Sequence, residues 1–169
     1  TQLMHTRKDV LLAEGRAIRE RIPRHSHGSW NPAVRRRDPL VILKELESGR
    51  LSDLLPLRYG RMSRSPFAYM RGAAAVTAAD VAGCPLTGIV CQACGDCHPA
   101  NFGLFASPER RLLFDITDCD ETLTAPWEFD VKRLTASLVL LAREQGCKQQ
   151  EERDACLVLI RSYREHLAD

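Results

Sequence analysis

The feature that most constrains the fold of this sequence is a pair of short apolar runs within residues 95–121. The first run is Asn101-Phe-Gly-Leu-Phe105 and the second is Leu112-Leu-Phe-Asp-Ile116. Between them lies Ser107-Pro-Glu-Arg110, which is rich in turn-forming residues. Two short apolar runs that flank such residues predict a β-hairpin. We therefore expect two antiparallel strands joined by a tight turn in the middle of the chain.

Acidic and amide side chains are concentrated at the open end of this predicted hairpin. Asp96 and Asn101 precede or begin the first strand, and Asp118, Asp120 and Glu121 follow the second. Closing the hairpin brings these two sets together, and the carboxylates repel one another unless a cation lies between them. Oxygen ligands of this kind suit a hard divalent ion such as magnesium, which takes one or two carboxylates together with substrate phosphates.

Length and composition indicate an ordinary globular protein. The chain has 169 residues, of which 44% are hydrophobic and 27% charged. A formal net charge of +2 is too small to indicate a nucleic-acid partner or a membrane surface. No apolar run approaches the roughly 20 residues that span a bilayer, and the N-terminus has no apolar signal-peptide core. We expect a cytoplasmic protein with no membrane or nucleic-acid partner.

Three cysteines in the middle of the chain admit several interpretations. They are Cys91, Cys94 and Cys97, spaced C-x-x-C-x-x-C. Residues 94–98 also spell C-x-x-C-H, the attachment pattern of c-type haem. A zinc or iron-sulfur site with Cys84 or Cys119 as a fourth ligand is a second interpretation. The third is that Cys91, within an apolar run, is a small buried hydrophobic residue.

Periodicity and capping residues predict a mostly helical α+β fold around the hairpin. We divide the chain into an N-terminal helix and exposed connector, residues 1–37, and a main domain, residues 38–169. His25 and His27 are interpreted as surface residues of the connector. The predicted helices run from Asp9 to Pro23, Asp38 to about Glu47, Ser65 to Gly83, Pro126 to about Arg143, and Gln150 to His166, with a strand over Thr87–Cys94.

Four arginines surround the start of the helix predicted to begin at Ser65. They are Arg58, Arg61, Arg64 and Arg71. Backbone amides at a helix start favour anions, so a phosphate contact is one interpretation, with Arg71 as the cofactor-binding candidate. Ion pairs and solvated side chains on a helix surface are the other.

Asp96 and Asn101 have the spacing D-x-x-x-x-N, which the kinase catalytic loop also uses. There the aspartate faces the incoming hydroxyl and the asparagine binds a metal ion. In kinases an aspartate that ends a later strand holds magnesium against the nucleotide phosphates. Asp118 or Asp115 would be its counterpart in this sequence.

The string GDCHPANFG resembles the H-G-D-x-H-x-x-N loop of aminoglycoside-phosphotransferase-like kinases, with Cys94 in place of the first histidine. Those enzymes also have a metal-binding aspartate and then an aspartate that opens a helix. Asp118 and Asp130 match that layout, so Asp118 is preferred for the metal and Asp115 is second. The resemblance implies a fold like a kinase C-lobe, with Mg²⁺ and ATP as cofactors. It implies catalytic roles for Asp96, as base or orienting carboxylate, and for His98, which shapes the loop or lies on the phosphate side.

Three longer blocks resemble the bacterial family known as domain of unknown function 2252. They are RYGRMSRSPFAYMRGAA, GDCHPANFGLFASPERRLLFDITDCDET and PWEFDVKRLTASL, within about residues 38–143. Cys97, Thr117 and Cys119 depart from the usual family pattern. Members are commonly longer and carry a glycine-rich G-x-G-S-x-G segment and a strand lysine, so the chain is expected to be an N-terminal part of such a protein.

These observations favour a kinase-like phosphotransferase, or an inactive fragment of one, that uses Mg-ATP on an unknown acceptor. Two alternatives stay open. The first is a noncatalytic module that binds a nucleotide or a partner, because no glycine-rich phosphate loop is visible in this sequence. The second is a metal or redox protein built on the three cysteines.

Overall fold

The computed structural model describes residues 2–31 and 37–167, with side chains from residue 8 onward. Its α-helices are α1 (Gln2–Arg21), α2 (Pro39–Glu45), α3 (Leu55–Met62), α4 (Pro66–Gly72), α5 (Ala74–Ala82), α6 (Glu128–Glu144) and α7 (Gln149–His166). Its strands are β1 (Val90–Ala93), β2 (Phe102–Ala106), β3 (Leu112–Ile116) and β4 (Leu123–Pro126). The predicted α+β class, mostly helical with small antiparallel sheets, is confirmed.

The predicted hairpin is confirmed as the β2–β3 pair. Phe102 lies opposite Ile116, and Ala106 lies opposite Leu112. The turn closes through a 2.8 Å hydrogen bond from the Arg110 amide to the Ser107 carbonyl. Arg110 has a φ of 60° there. The open end of the hairpin therefore lies where the acidic residues were expected.

A second antiparallel pair, β1 with β4, was not predicted. It aligns Val90 with Pro126 and Ala93 with Leu123. The prediction that Pro126 starts a helix is wrong, because Pro126 ends β4 and α6 begins at Glu128. A proline is tolerated at a strand end, where its missing N–H removes no interior ladder bond.

The helix predicted from Ser65 to Gly83 is divided into α4 and α5 at Ala73. The Ser65 cap is confirmed, since its hydroxyl accepts a 3.1 Å hydrogen bond from the Ala68 amide. Ala73 leaves helical geometry with φ −121° and ψ 41°. A Cβ on Gly72 would lie 2.6 Å from the Met62 side chain, so a larger residue there would force the buried Met62 side chain to move.

The main apolar core lies among helices α2, α3 and α5. It consists of the buried side chains Ile42, Leu43, Met62, Ala73 and Val76. The core joins the start of the main domain to the helices that precede β1. Long apolar side chains from separate helices meet there because each helix has one apolar face.

Two details of the N-terminal region differ from prediction. Helix α1 begins at Gln2, well before the expected cap at Asp9. His27 is half-buried, with its ring edge-on to Trp127 at a centroid distance of 5.8 Å, so its interpretation as a surface residue is wrong. His25 is exposed, as predicted. Residues 32–36 of the expected connector lie outside the described part of the chain.

Helix α6 differs from the predicted pattern on its buried face. The expected face was Val131, Leu134, Leu138 and Leu141, but the most buried residues are Glu128, Arg133 and Ser137. Helix α7 was predicted to within one residue at its start and packs against α6. In the part of the chain that the structure describes, every helix is too short or too polar to cross a bilayer.

Candidate catalytic loop

Residues 94–101, which we call the site loop, run from the end of β1 to the start of β2 and end in a 3₁₀ turn, Pro99–Asn101. Its backbone is held by Asp130 in the first turn of α6. The Asp130 carboxylate accepts hydrogen bonds from the amides of Cys94 (2.6 Å) and Gly95 (3.0 Å). Two amide bonds to one carboxylate fix both the position and the direction of the chain at the start of the loop.

Gly95 allows the site loop to approach the segment that follows β3. Its φ is +81°, in the region that favours glycine. A Cβ at this position would lie 2.1 Å from the Glu121 carbonyl oxygen. Glycine is therefore required both for the backbone conformation and for the close packing of residues 95 and 121.

Asp96 points toward two basic side chains. Its Oδ1 accepts a hydrogen bond from the Arg133 guanidinium, and its Oδ2 lies 3.4 Å from Nε2 of His98. Burial acts to raise the pKa of Asp96, but the hydrogen bond from His98 and the charge of Arg133 outweigh it, so its pKa is lowered. The side chain is 22% exposed, so one edge of an ionised carboxylate faces solvent.

Arg133 is the central residue of the site that the sequence did not reveal. Its side chain is 2% exposed. Besides Asp96, its guanidinium donates to the Thr77 hydroxyl (2.7 Å) and the Met70 carbonyl (2.6 Å). It therefore ties the site loop to the ends of α4 and α5. The only signal in the sequence was that Arg133 follows Asp130 by about one helical turn. Solvated arginines on helix surfaces commonly have the same spacing from an acidic residue, so this signal could not identify a buried one.

His98 is almost fully buried, with 2% exposure. Its ring lies edge-on to Phe67 at a centroid distance of 6.3 Å. Nδ1 has no hydrogen-bond partner within the described residues. Its position against Asp96 and Phe67 agrees with a residue that shapes the loop.

Asn101 closes the site loop and begins the hairpin. Its Nδ2 donates a 2.8 Å hydrogen bond to the Asp96 carbonyl, and the side chain is buried. Its own carbonyl accepts from the Thr117 amide at 2.8 Å and the Thr117 hydroxyl at 3.0 Å. Pairing thus continues one residue beyond β3, and Asp118 follows directly. The prediction that closing the hairpin brings its two ends together is confirmed for Asn101 and Thr117.

The two candidate metal-binding carboxylates differ in location. Asp118 is exposed, and its Oδ1 accepts a 3.2 Å hydrogen bond from the Asp120 amide. Asp115 lies within β3 opposite Gly103, and its Oδ1 accepts from the Ile116 amide at 2.7 Å. Asp118 is the one adjacent to Asn101 along the hairpin base.

The chemical type of the candidate ligands, amide and carboxylate oxygens, suits magnesium. Among residues 8–31 and 37–167, no three His, Cys, Asp or Glu side chains are grouped so that they could hold a metal ion. The Asn101 amide and one carboxylate are hard oxygen donors, and magnesium commonly completes such a set with water and phosphate oxygens. The residues therefore fit a magnesium ion that arrives with a nucleotide better than a permanently held metal.

The cysteines are arranged unlike a thiolate metal site. Cys91 is exposed, which contradicts its interpretation as a buried hydrophobic residue, whereas Cys94 and Cys97 are buried. Burial raises the pKa of Cys97 to about 12 and also raises that of Cys94. Since metal ligation requires the thiolate, these environments disfavour it.

The arginines do not converge as a group. Arg71 is exposed in the last turn of α4, and Arg61 and Arg64 are exposed as well. Arg58 is half-buried and donates a 2.5 Å hydrogen bond to the Gly72 carbonyl. Burial and the charge of Arg50 lower the pKa of Arg58, while Glu121 and Asp96 oppose the shift. Arg58 is thus the arginine of this group whose pKa is influenced by the charges of Glu121 and Asp96.

Comparison with known proteins adds one match. No curated protein and no solved structure matches this chain. A family model described as "uncharacterized protein conserved in bacteria (DUF2252)" matches residues 50–169. That range includes the site loop, the hairpin and helix α6, and it confirms the resemblance found in the three sequence blocks. The chain therefore belongs to the DUF2252 family of bacterial proteins.

Proposed function

We propose that this chain carries the acceptor side of a kinase-like phosphotransferase that uses Mg-ATP on a hydroxyl-bearing acceptor. The observation that carries the proposal is the state of Asp96. Its pKa is lowered by His98 and Arg133 against the effect of burial, and one edge remains open to solvent. An ionised carboxylate at the start of a D-x-x-x-x-N loop is what acceptor-hydroxyl orientation requires. We also propose that the hairpin and α6 correspond to the same parts of a kinase C-lobe.

In this proposal Asp96 orients the acceptor rather than activating it strongly. Oδ1 is engaged by Arg133, so Oδ2 is the oxygen that would accept a hydrogen bond from the acceptor hydroxyl. A carboxylate with a lowered pKa is a weak base, which is adequate where phosphoryl transfer has a loose transition state. The bond from the γ-phosphorus to ADP breaks, a bond to the acceptor oxygen forms, and the hydroxyl proton passes to Asp96.

Asn101 and Asp118 would hold magnesium, with Asp115 as the second carboxylate candidate. When bound, the ion neutralises charge on the nucleotide phosphates. Asn101 is well prepared for this role, because its Nδ2 is bound to the Asp96 carbonyl and its side chain is buried. Arg58, whose pKa is influenced by the charges of Glu121 and Asp96, is placed better for a phosphate contact than the exposed Arg71.

Thermal shift with ATP and magnesium tests the proposal. A ligand at 100 times its Kd stabilises the folded state by about 2.7 kcal/mol. For a chain of this size that corresponds to a Tm increase of roughly 5–10 °C. We expect the increase to require magnesium and to be lost in Asp118→Asn. The exposed Asp53→Asn, in the turn before α3, is the matched control and should keep it. Absence of any shift in the full-length natural protein would refute the proposal.

A noncatalytic nucleotide-binding module is the second candidate. It is favoured by the engagement of Asp96, whose carboxylate has Arg133 on one oxygen and His98 beside the other. An assay of phosphate release from ATP, carried out without an acceptor, separates the enzyme from the noncatalytic module. Slow hydrolysis that is lost in Asp96→Asn while ATP binding persists supports the enzyme. Binding without any hydrolysis or transfer supports the module.

A further inference from the structure

A second candidate site lies outside the site loop, in a cavity of about 860 Å³ lined by α4, α5 and α6 together with Trp30, Pro39 and residues 62–65. Helix α6 contributes Lys132, Ala136 and Leu140, which recur every four residues and therefore share one face. Met70 and Thr77 form part of the opposite wall. Residues 85–131 contribute nothing to its lining, so neither the site loop nor the hairpin lines this cavity, although Met70 and Thr77 also contact Arg133.

The size and chemistry of the cavity fit a small organic ligand. Ligand pockets typically measure roughly 300–1,000 Å³ and combine apolar walls with a few polar groups. Here most of the exposed wall is apolar, from side chains such as Met62, Val76 and Leu140. The ligand body that such walls would accept is apolar as well.

One cationic group in the cavity is buried without a partner. Nζ of Lys132 is inaccessible to solvent and makes no hydrogen bond within the described residues. A buried ammonium without a hydrogen-bond partner is unfavourable, so an anionic acceptor at this position is favoured. Asp80 also lines the wall, but it has an interaction of its own, and Arg64 is exposed at the edge.

We propose that the cavity binds a small amphipathic anion, with its carboxylate paired to Lys132 and its apolar body against the α4, α5 and α6 walls. Two independent observations support this class of ligand: the apolar volume and the unpartnered ammonium. The charge selects an anion, and the walls select a hydrocarbon or aromatic body. Neither observation depends on the phosphotransferase proposal.

Isothermal titration calorimetry with decanoate, and with uncharged 1-decanol as a comparison, tests this site. We expect decanoate to bind at one site per chain. Lys132→Met, which keeps the length of the side chain, should weaken decanoate binding about tenfold or more through loss of the charge-assisted bond. Binding of 1-decanol should change little, because it has no charge to pair.

Two further variants keep the test decisive. Ala136→Trp places a large ring at the cavity wall from an exposed helix position and should reduce binding of both probes. Lys44→Met, on the exposed face of α2, is the matched control and should bind decanoate like the natural chain. Far-UV circular dichroism verifies that each variant is folded.

Three results would overturn the inference. They are no decanoate binding by the natural chain, equal binding by Lys132→Met, or an equal loss in Lys44→Met. Lys132→Arg serves as the conservative variant, because it keeps a positive charge on a long stem. It should retain affinity for decanoate within a few-fold of the natural chain.

Discussion

Substitution of Arg133 by methionine is the perturbation that most directly tests how the site is built. Methionine keeps an unbranched stem in a position that is 2% exposed, but it removes all donors of the guanidinium. Asp96 then loses its ion pair, and the Met70 carbonyl and Thr77 hydroxyl each lose a hydrogen bond. The substitution therefore leaves the partly buried Asp96 carboxylate with only His98 beside it, and the Met70 carbonyl with only the Ala73 amide as a donor.

The expected loss of stability follows from those contacts. Removing one partner of a buried ion pair typically costs about 3–5 kcal/mol. Because the Asp96 side chain is 22% exposed, water can partly solvate it. We therefore expect a decrease of about 3 kcal/mol in the free energy of unfolding. At roughly 2–4 °C per kcal/mol, the Tm should fall by about 6–12 °C.

Urea denaturation at pH 7 measures this loss, and a double-mutant cycle assigns it. In the natural chain, Asp96→Asn should destabilise the protein because Arg133 loses its counter-ion. In the Arg133→Met background, the same change should cost much less, since the ion pair with Arg133 is already gone and only the contact with His98 is left to lose. We expect a coupling energy of at least about 1 kcal/mol.

Two results would refute this reasoning. One is a cost of less than about 1 kcal/mol for Arg133→Met, which is below the penalty of a buried unsatisfied group. The other is additivity of the two substitutions within about 0.5 kcal/mol. Arg133→Lys provides an intermediate case, because one ammonium keeps the charge but cannot reproduce the planar fork that reaches three acceptors.

Three further predictions follow from the same contacts. The pKa of Asp96 is lowered, so its stabilising contribution is full above its unfolded value near pH 4 and is lost as the pH falls through the folded value. The difference in unfolding free energy between the natural chain and Asp96→Asn should therefore shrink below about pH 4, and a constant difference would contradict this. Asp130→Ala should lower the free energy of unfolding by about 2 kcal/mol and speed hydrogen exchange at the Cys94 and Gly95 amides. Unchanged protection of these amides would contradict the role of Asp130. Gly95→Ala should lower the free energy of unfolding by clearly more than about 1 kcal/mol. The added Cβ would collide with the Glu121 carbonyl, and the positive φ would also strain an alanine. Gly88→Ala is its control, with φ +84° in open space, and equal costs would show that the close approach to residue 121 contributes nothing.

Local patterns were sufficient to predict the hairpin and the ends of several helices. The β2–β3 pair depends on two apolar runs and a turn within 15 residues, from Phe102 to Ile116. Its closure then places Asn101 beside Thr117, and Asp118 next along the chain. Capping at Ser65 was equally predictable, because the hydroxyl binds an amide only three residues away.

Features that depend on contacts distant in sequence were missed. Strand β4 is short, contains a proline and is defined by pairing with β1, whose residues lie 30 or more positions earlier. Arg133 binds Met70 and Thr77, which precede it by 63 and 56 residues. An arginine on an amphipathic helix is ordinarily solvated, and only the tertiary arrangement buries this one almost completely.

Two residues of helix α6 hold the site loop in different ways: Asp130 binds its backbone, and Arg133 binds the Asp96 side chain. Asp130 binds backbone amides, so it determines where the loop lies regardless of the charge on Asp96. Arg133 binds the Asp96 carboxylate, so it stabilises the charge but has no contact with the loop amides that Asp130 holds. Removing Arg133 should therefore raise the pKa of Asp96 while those amides stay protected from exchange. Removing Asp130 should expose the amides, and the Asp96–Arg133 ion pair can persist. Carboxyl-carbon NMR titration and hydrogen exchange, measured on both variants, would separate these effects, and a loss of both properties in each variant would show that α6 holds the loop as one cooperative unit instead.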